Sequence, residues 1–172
     1  VFTAIYLAGQ IIDMVMGFGM VNVLDPMSNI QIPITANFYF ILSMLVFLTV
    51  NGHHLLIRAL FESYTYIPAG KASIGSGLMD NVLGIFGSMF IIGFKIAAPV
   101  VSAILITDVA LGVMSRTVPQ LNVFIVGMPL KVALGIIVIL LTIPAFIMLM
   151  DSIFGIMDTE IFRFIREMAP NE

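Results

Sequence analysis

A chain of 172 residues that is 60% hydrophobic and only 10% charged, with net charge −3 and mean hydropathy +1.15, lacks the polar surface to cover itself in water, since soluble domains carry about 25% charged residues. It belongs in a membrane or inside an apolar assembly. The absence of any basic run argues against a nucleic-acid partner, and the absence of cysteine removes disulfides, thiolate metal sites and cysteine nucleophiles.

The chain opens at Val1 inside an apolar segment, with no initiator Met, basic n-region or cleavage site. The expectation is that an N-terminal portion of the protein precedes it. Residues 1 to 24 run apolar, with Gln10, Asp13 and Asn22 included. Gly17 and Gly19 each disfavour helix by up to about 1 kcal/mol, and Asp25, preceding Pro26, is pushed away from helical dihedrals. The helix is therefore predicted to end there in an apolar loop with a polar tip, the loop proper running from Asp25 to Pro33. At membrane depth such backbone is tolerated only where protein or a water-filled cavity surrounds it. That setting suits a plug or constriction, while a plain interhelical turn at the membrane surface is the simpler alternative.

The stretch from Ile34 to Tyr66 is helix-like, broken only at Asn51-Gly52-His53-His54. As one straight helix it would reach about 50 Å, against a hydrocarbon core of about 30 Å. Either it bends near Asn51-Gly52 or it does not sit wholly in lipid. Pro68 to Asp80 is predicted as a linker, and a third helical segment runs from Asn81 to about Arg116. Pro99 removes a backbone donor and is expected to kink that segment or divide it near Lys95. Pro119 to Pro129 is predicted as an apolar connector, followed by an apolar run from Leu130 to Met150 that Lys131 and Pro144 interrupt. Asp158 to Met168 is predicted as a short amphipathic helix capped by Asp158, at a membrane or partner surface. The fold class expected is all-α and membrane-class: helical hairpins with kinked and broken helices, no sheet, and a single domain over residues 1–172.

Candidate chemistry is sparse. Asp13, Lys95, Asp108 and Lys131 are ionisable groups inside apolar segments, where a charge at bilayer centre costs roughly 2.5–3.5 kcal/mol on insertion scales. Two acids and two bases are predicted to be buried and structurally paired, in preference to forming a proton or ion relay. Asn51 and His53 are read as buried structural polar groups. Adjacent His53 and His54 point about 100° apart on a helix and do not readily ligate one ion. The Gly17-Phe18-Gly19 and Gly75-Ser76-Gly77 stretches lack the Gly-Lys-Ser/Thr of a phosphate loop. No catalytic residue, cofactor or metal is expected. Thirteen Met and fourteen Phe suit ordinary apolar packing or a deformable seal, and the gathering of Met14, Met16, Phe18 and Met20 ahead of the break favours the seal.

Three strings carry a resemblance: AGQIIDMVMGFGMVNVLDPMSNIQIP, FLTVNGHHLLIRAL and SRTVPQLNVFIVGMPLKVALG. In this order and separation the chain, from about Leu7 to its end, resembles the FliR family of type III secretion export-gate subunits. The NGHH form and the LDPMS loop favour the flagellar branch. The resemblance implies a non-enzymatic subunit of the flagellar basal body in the bacterial inner membrane. It would join FliP-like and FliQ-like subunits, with FlhB-like and FlhA-like proteins nearby, in a gate that passes unfolded flagellar proteins. It also implies that much of the gate is raised out of the bilayer, so that apolar helices bury against sister subunits as well as membrane lipids. The loop matching Met16 to Ile32 would be the pore plug, carrying Met16, Gly17, Phe18, Gly19, Met20, Val23, Leu24, Asp25 and Pro26. The family often has bulkier aromatics at the positions of Met20 and Val23, so sealing is expected to draw also on partner Met side chains. The alternatives are a stand-alone transporter or ion channel using Asp13 and Asp108, and an intramembrane enzyme using His53. A transporter of that kind commonly shows two matching halves, which this sequence lacks.

Overall fold

Small and branched apolar residues recur at helical spacing through the first segment. Ala4, Ile5, Ala8, Gly9, Ile12, Asp13 and Met16 all become buried along one stripe of helix α1, Phe2–Met16. The computed structural model describes residues 1–18, 33–68, 76–118, 120 and 122–169. Among them the further helices are α2 (Ile34–Thr49), α3 (Gly52–Tyr66), α4 (Ser76–Thr117) and α5 (Val123–Glu167), and no strand occurs. The all-α class expected from the sequence is the class found.

α1 is the centre of the packing. It lies against α2 on one side and α4 on another, and α5 also touches it. Ile5, Ile12 and Met16 of α1 meet Tyr39 of α2, Ile96, Val100 and Ile104 of α4, and Phe146 and Met150 of α5 in one core. At one end of that core Phe2, Phe47 and Phe154 stack within 5.3–5.9 Å of one another, centroid to centroid. The crossing of α1 and α2 is close enough that a Cβ on Gly9 would overlap the Ala36 backbone. Small residues let helix backbones approach in this way.

The long segment from Ile34 breaks where the sequence suggested. α2 and α3 meet at an angle of 69°, turning through Asn51 in the left-handed region at φ 57° and ψ 29°. Asn tolerates that region better than most residues do. Asn51→Val is therefore expected to destabilise the corner by about 1–2 kcal/mol, whereas Asn51→Gly should unfold at nearly the wild-type temperature in detergent.

α4 and α5 form an antiparallel hairpin tied at both ends. Asn81 in the early turns of α4 donates to Glu167 at the end of α5, and Asp108 of α4 pairs with Lys131 of α5 beside the connection. Here the structure departs from several sequence expectations. α4 begins at Ser76, within the stretch expected to be linker, and runs unbroken through Pro99. α5 begins at Val123, within the expected connector, because the Asn122 side chain accepts from the backbone N–H of Phe124 and Ile125 at 3.2 and 3.3 Å, the usual work of an N-cap. α5 also continues through Pro129 and Pro144. Residues 158–167 are its last turns and not a separate helix capped by Asp158. Apolar helices tolerate Pro where neighbours and local adjustments satisfy the freed backbone.

At 1.5 Å per residue α4 and α5 are about 63 and 67 Å long, twice the hydrocarbon thickness of about 30 Å. Both are apolar enough to cross a membrane, and the bent α2–α3 pair gives a third candidate span. Their outer faces are uncovered: Phe86, Phe90 and Phe94 on α4, and Leu141 and Met148 on α5, stand 50–75% exposed.

Candidate functional site

The sequence singled out residues 16–32, and the structure describes the two ends that hold this segment. α1 stops at Gly17, which takes φ 89° and donates its N–H to the carbonyls of Asp13 and Met14. This is the left-handed glycine stop common at helix C-termini. Met16 is fully buried and lies against α5, where a Cβ on Gly135 would come within 2.6 Å of the Met16 methyl. Phe18 packs partly into the same core. Met14, grouped with these residues by sequence, is 78% exposed. Gly19, Met20, Val23, Leu24, Asp25 and Pro26 lie outside the described residues.

The far end of the segment is Pro33, the N-cap position of α2, whose side chain cannot cap. The missing acceptor comes from another helix. Asp13 of α1, only 6% exposed, accepts the N–H of Thr35 at 2.9 Å through Oδ1 and the N–H of Ala36 at 3.3 Å through Oδ2. A carboxylate there satisfies two of the orphan donors of the first turn and meets the positive end of the helix dipole. One residue thus ties the last turn of α1 to the first turn of α2, closing the base of the segment between them. Asp13 reads from the sequence as structurally paired with polar groups of neighbouring helices; the partners here are backbone donors of α2 and not a cation.

The other ionisable groups divide differently from the expectation. Asp108 and Lys131 do pair, although their side chains keep 42% and 24% exposure. Lys95 and Asn51 are exposed, not buried. His53 is half-buried; its Nδ1 is enclosed with no hydrogen-bond partner among the described residues, and its ring lies 4.2 Å from that of His54. Sequence reasoning missed Gly9, Thr35 and Gly135, which make the close contacts around the site. The Ala4-xxx-Ala8 spacing beside Gly9 was the available signal for a tight helix crossing. Nothing local marked Thr35 as the partner of Asp13.

Grooves among the described residues lie elsewhere. One of about 550 Å³, between α3 and the end of α5, is lined by Arg58, Glu62, Phe162, Arg163 and Glu167 among others. Of its arginines, Arg58 is engaged by Glu62 and Arg163 by Glu167, and Arg58 also lies over the Phe162 ring at 5.5 Å.

Residues 1–157 match the family model described as bacterial export proteins, family 1. The chain is 38% identical over 156 residues to the flagellar biosynthetic protein FliR of Bacillus subtilis (strain 168), covering 89% of this chain and 60% of that protein. It is 30% identical over 167 residues to the protein of the same name from Escherichia coli (strain K12), covering 97% and 62%. With that of Aquifex aeolicus (strain VF5) the identity is 33% over 153 residues, covering 89% and 59%. The chain thus spans 59–62% of the length of these curated relatives.

Proposed function

The chain belongs to the bacterial export proteins, family 1, and from that premise we propose that it is a subunit of the flagellar type III secretion export gate in the bacterial inner membrane, at the flagellar basal body. With FliP-like and FliQ-like subunits it forms a protein-conducting pore for unfolded flagellar proteins, with FlhB-like and FlhA-like export proteins nearby. The segment 16–32 is the plug of that pore, and the subunit itself catalyses no reaction.

The observation that carries this reading is the match of residues 1–157 to the export family. It agrees with the physics of two helices longer than a bilayer is thick, with their apolar faces uncovered. A free bilayer protein tolerates such helices poorly, whereas sister subunits can bury them. The plug assignment is supported by the Asp13 tie, which holds the two ends of the segment together on a packed base. A stand-alone transporter is less well served, because Asp13 is engaged by backbone donors and Asp108 by Lys131.

The test is purification of the tagged full-length protein from native membranes in mild detergent, with mass spectrometry of the chains that accompany it. FliP-like and FliQ-like chains are expected. A lone monomer or homodimer from a host expressing those chains would overturn the gate. Deleting Met20 to Asn29 is then expected to leave assembly intact and make membranes leak ions; an unchanged leak from assembled complexes would remove the plug.

A further inference from the structure

Lys95 lies near the middle of α4, about 29 Å from one end and 33 Å from the other at 1.5 Å per residue. A lysine stem that snorkels along an apolar surface reaches neither end. The ion pairs among the described residues are Arg58–Glu62, Lys131–Asp108 and Arg163–Glu167, and none includes Lys95. Yet Lys95 stands on the exposed face of α4, in a stripe with Ile91, Phe94, Ala98, Ser102, Leu105 and Ile106. The opposite stripe, Ile96, Ala97, Val100 and Ile104, is the one spent on the core.

Two further features fall on the same outward stripe. Pro99, also exposed, has no N–H to donate, so the Lys95 carbonyl lacks its helical partner four residues on. Ala98 and Ser102 are small residues one helical turn apart, the spacing that lets a second helix backbone come close. A mid-helix cation, an orphan carbonyl and a small-residue notch, all framed by exposed Phe and Ile, specify more than a greasy surface. An apolar helix alone would leave the ammonium unpaired in a low-dielectric contact, which is strongly unfavourable.

We propose that this face of α4 docks an apolar helix of a different subunit that carries a carboxylate opposite Lys95. The inference rests on the assembly reading above and adds the chemistry of one partner surface. A second copy of this chain fits less well: of its acidic residues inside apolar helical segments, Asp13 and Asp108 are already engaged. Asp151 of α5 is exposed and belongs to none of the ion pairs. It is therefore the internal competitor that the test must address.

The experiment uses the full-length chain co-expressed with its native partner genes. A photoreactive amino acid replaces Phe94, the crosslinked peptide is sequenced, and complex recovery is compared across Lys95 variants. The crosslink is expected on a partner helix with an Asp or Glu within one turn. Lys95→Glu should lower recovery about tenfold by setting two carboxylates against each other, Lys95→Met should lower it less, and changing the partner acid to Lys should restore the Lys95→Glu complex. Recovery of Lys95→Glu at the wild-type level overturns the inference, as does a crosslink to lipid or to a second copy. Restoration of Lys95→Glu by Asp151→Lys also overturns it, in favour of an ion pair within the chain. A wild-type chain that purifies alone instead sinks the assembly reading itself, so the two failures are distinguishable.

Discussion

Replacing Gly9 by alanine is expected to lower stability by about 3 kcal/mol, at the upper end of the usual cost of overpacking, and Gly9→Val should prevent recovery of folded chain from detergent. The new Cβ would overlap the Cα of Ala36 and sit 2.6 Å from its nitrogen. What it meets is backbone, so no side chain can swing away. The only relief is for α2 to move off α1, and that separates Asp13 from the Thr35 and Ala36 N–H groups as well. Gly84→Ala on α4 is the matched control. Nothing lies within 4 Å of the added methyl there, so helix propensity alone should make it neutral or stabilising by up to about 1 kcal/mol. Thermal unfolding of both variants in one detergent makes the comparison. Equal midpoints would show that α1 and α2 do not approach as closely as the structure has them.

Asp13→Ala is expected to cost about 2–3 kcal/mol, because it leaves two buried backbone donors of α2 without an acceptor. Asp13→Asn keeps one carbonyl oxygen and should lose about 1 kcal/mol, since a neutral acceptor makes the weaker hydrogen bond. The functional readout separates this role from general destabilisation. If Asp13 holds the base of a plug, assembled complexes with Asp13→Ala should leak ions, less than complexes lacking Met20 to Asn29 but more than wild type. A variant that also lowers stability but lies away from this base, such as Asn51→Val at the α2–α3 corner, should remain tight. Equal leaks from the two would reduce Asp13 to a structural residue.

Composition and the broken apolar runs were enough to read the all-α membrane class, and an over-long segment with Asn-Gly in it was enough to locate the α2–α3 corner. Those features are written in local sequence. The errors came where local rules overrule less than they do in water. Pro99 reads as a kink or a division, Pro129 as the end of a connector and Pro144 as an interruption, yet α4 and α5 continue through all three as single helices. Residues 123–129 read as connector, a reading that misses the Asn122 cap that starts α5 there. Asp13 reads as a buried structural group, but its partners were not legible: they lie 22 and 23 residues away, and no periodicity links a carboxylate on one helix to the first turn of another. Four intramembrane charges suggested two ion pairs. Asp108 and Lys131 formed one, while Lys95 was left facing outward.

The central place of α1 has a consequence in time. α1 is covered by helices made much later than itself: Ala4 meets Gly93 of α4, about ninety residues downstream. At a synthesis rate of about 5–20 residues per second, roughly 5–20 s pass between the two. α2 arrives earlier and can latch onto Asp13 within a few seconds, so among these five helices the α1–α2 pair can form first. Until α4 emerges, the rest of the α1 stripe, including Ile5 and Ile12, stays open to whatever the insertion machinery or the bilayer offers. The nascent chain thus passes through a half-built pair, walled in first by α4 and then by α5.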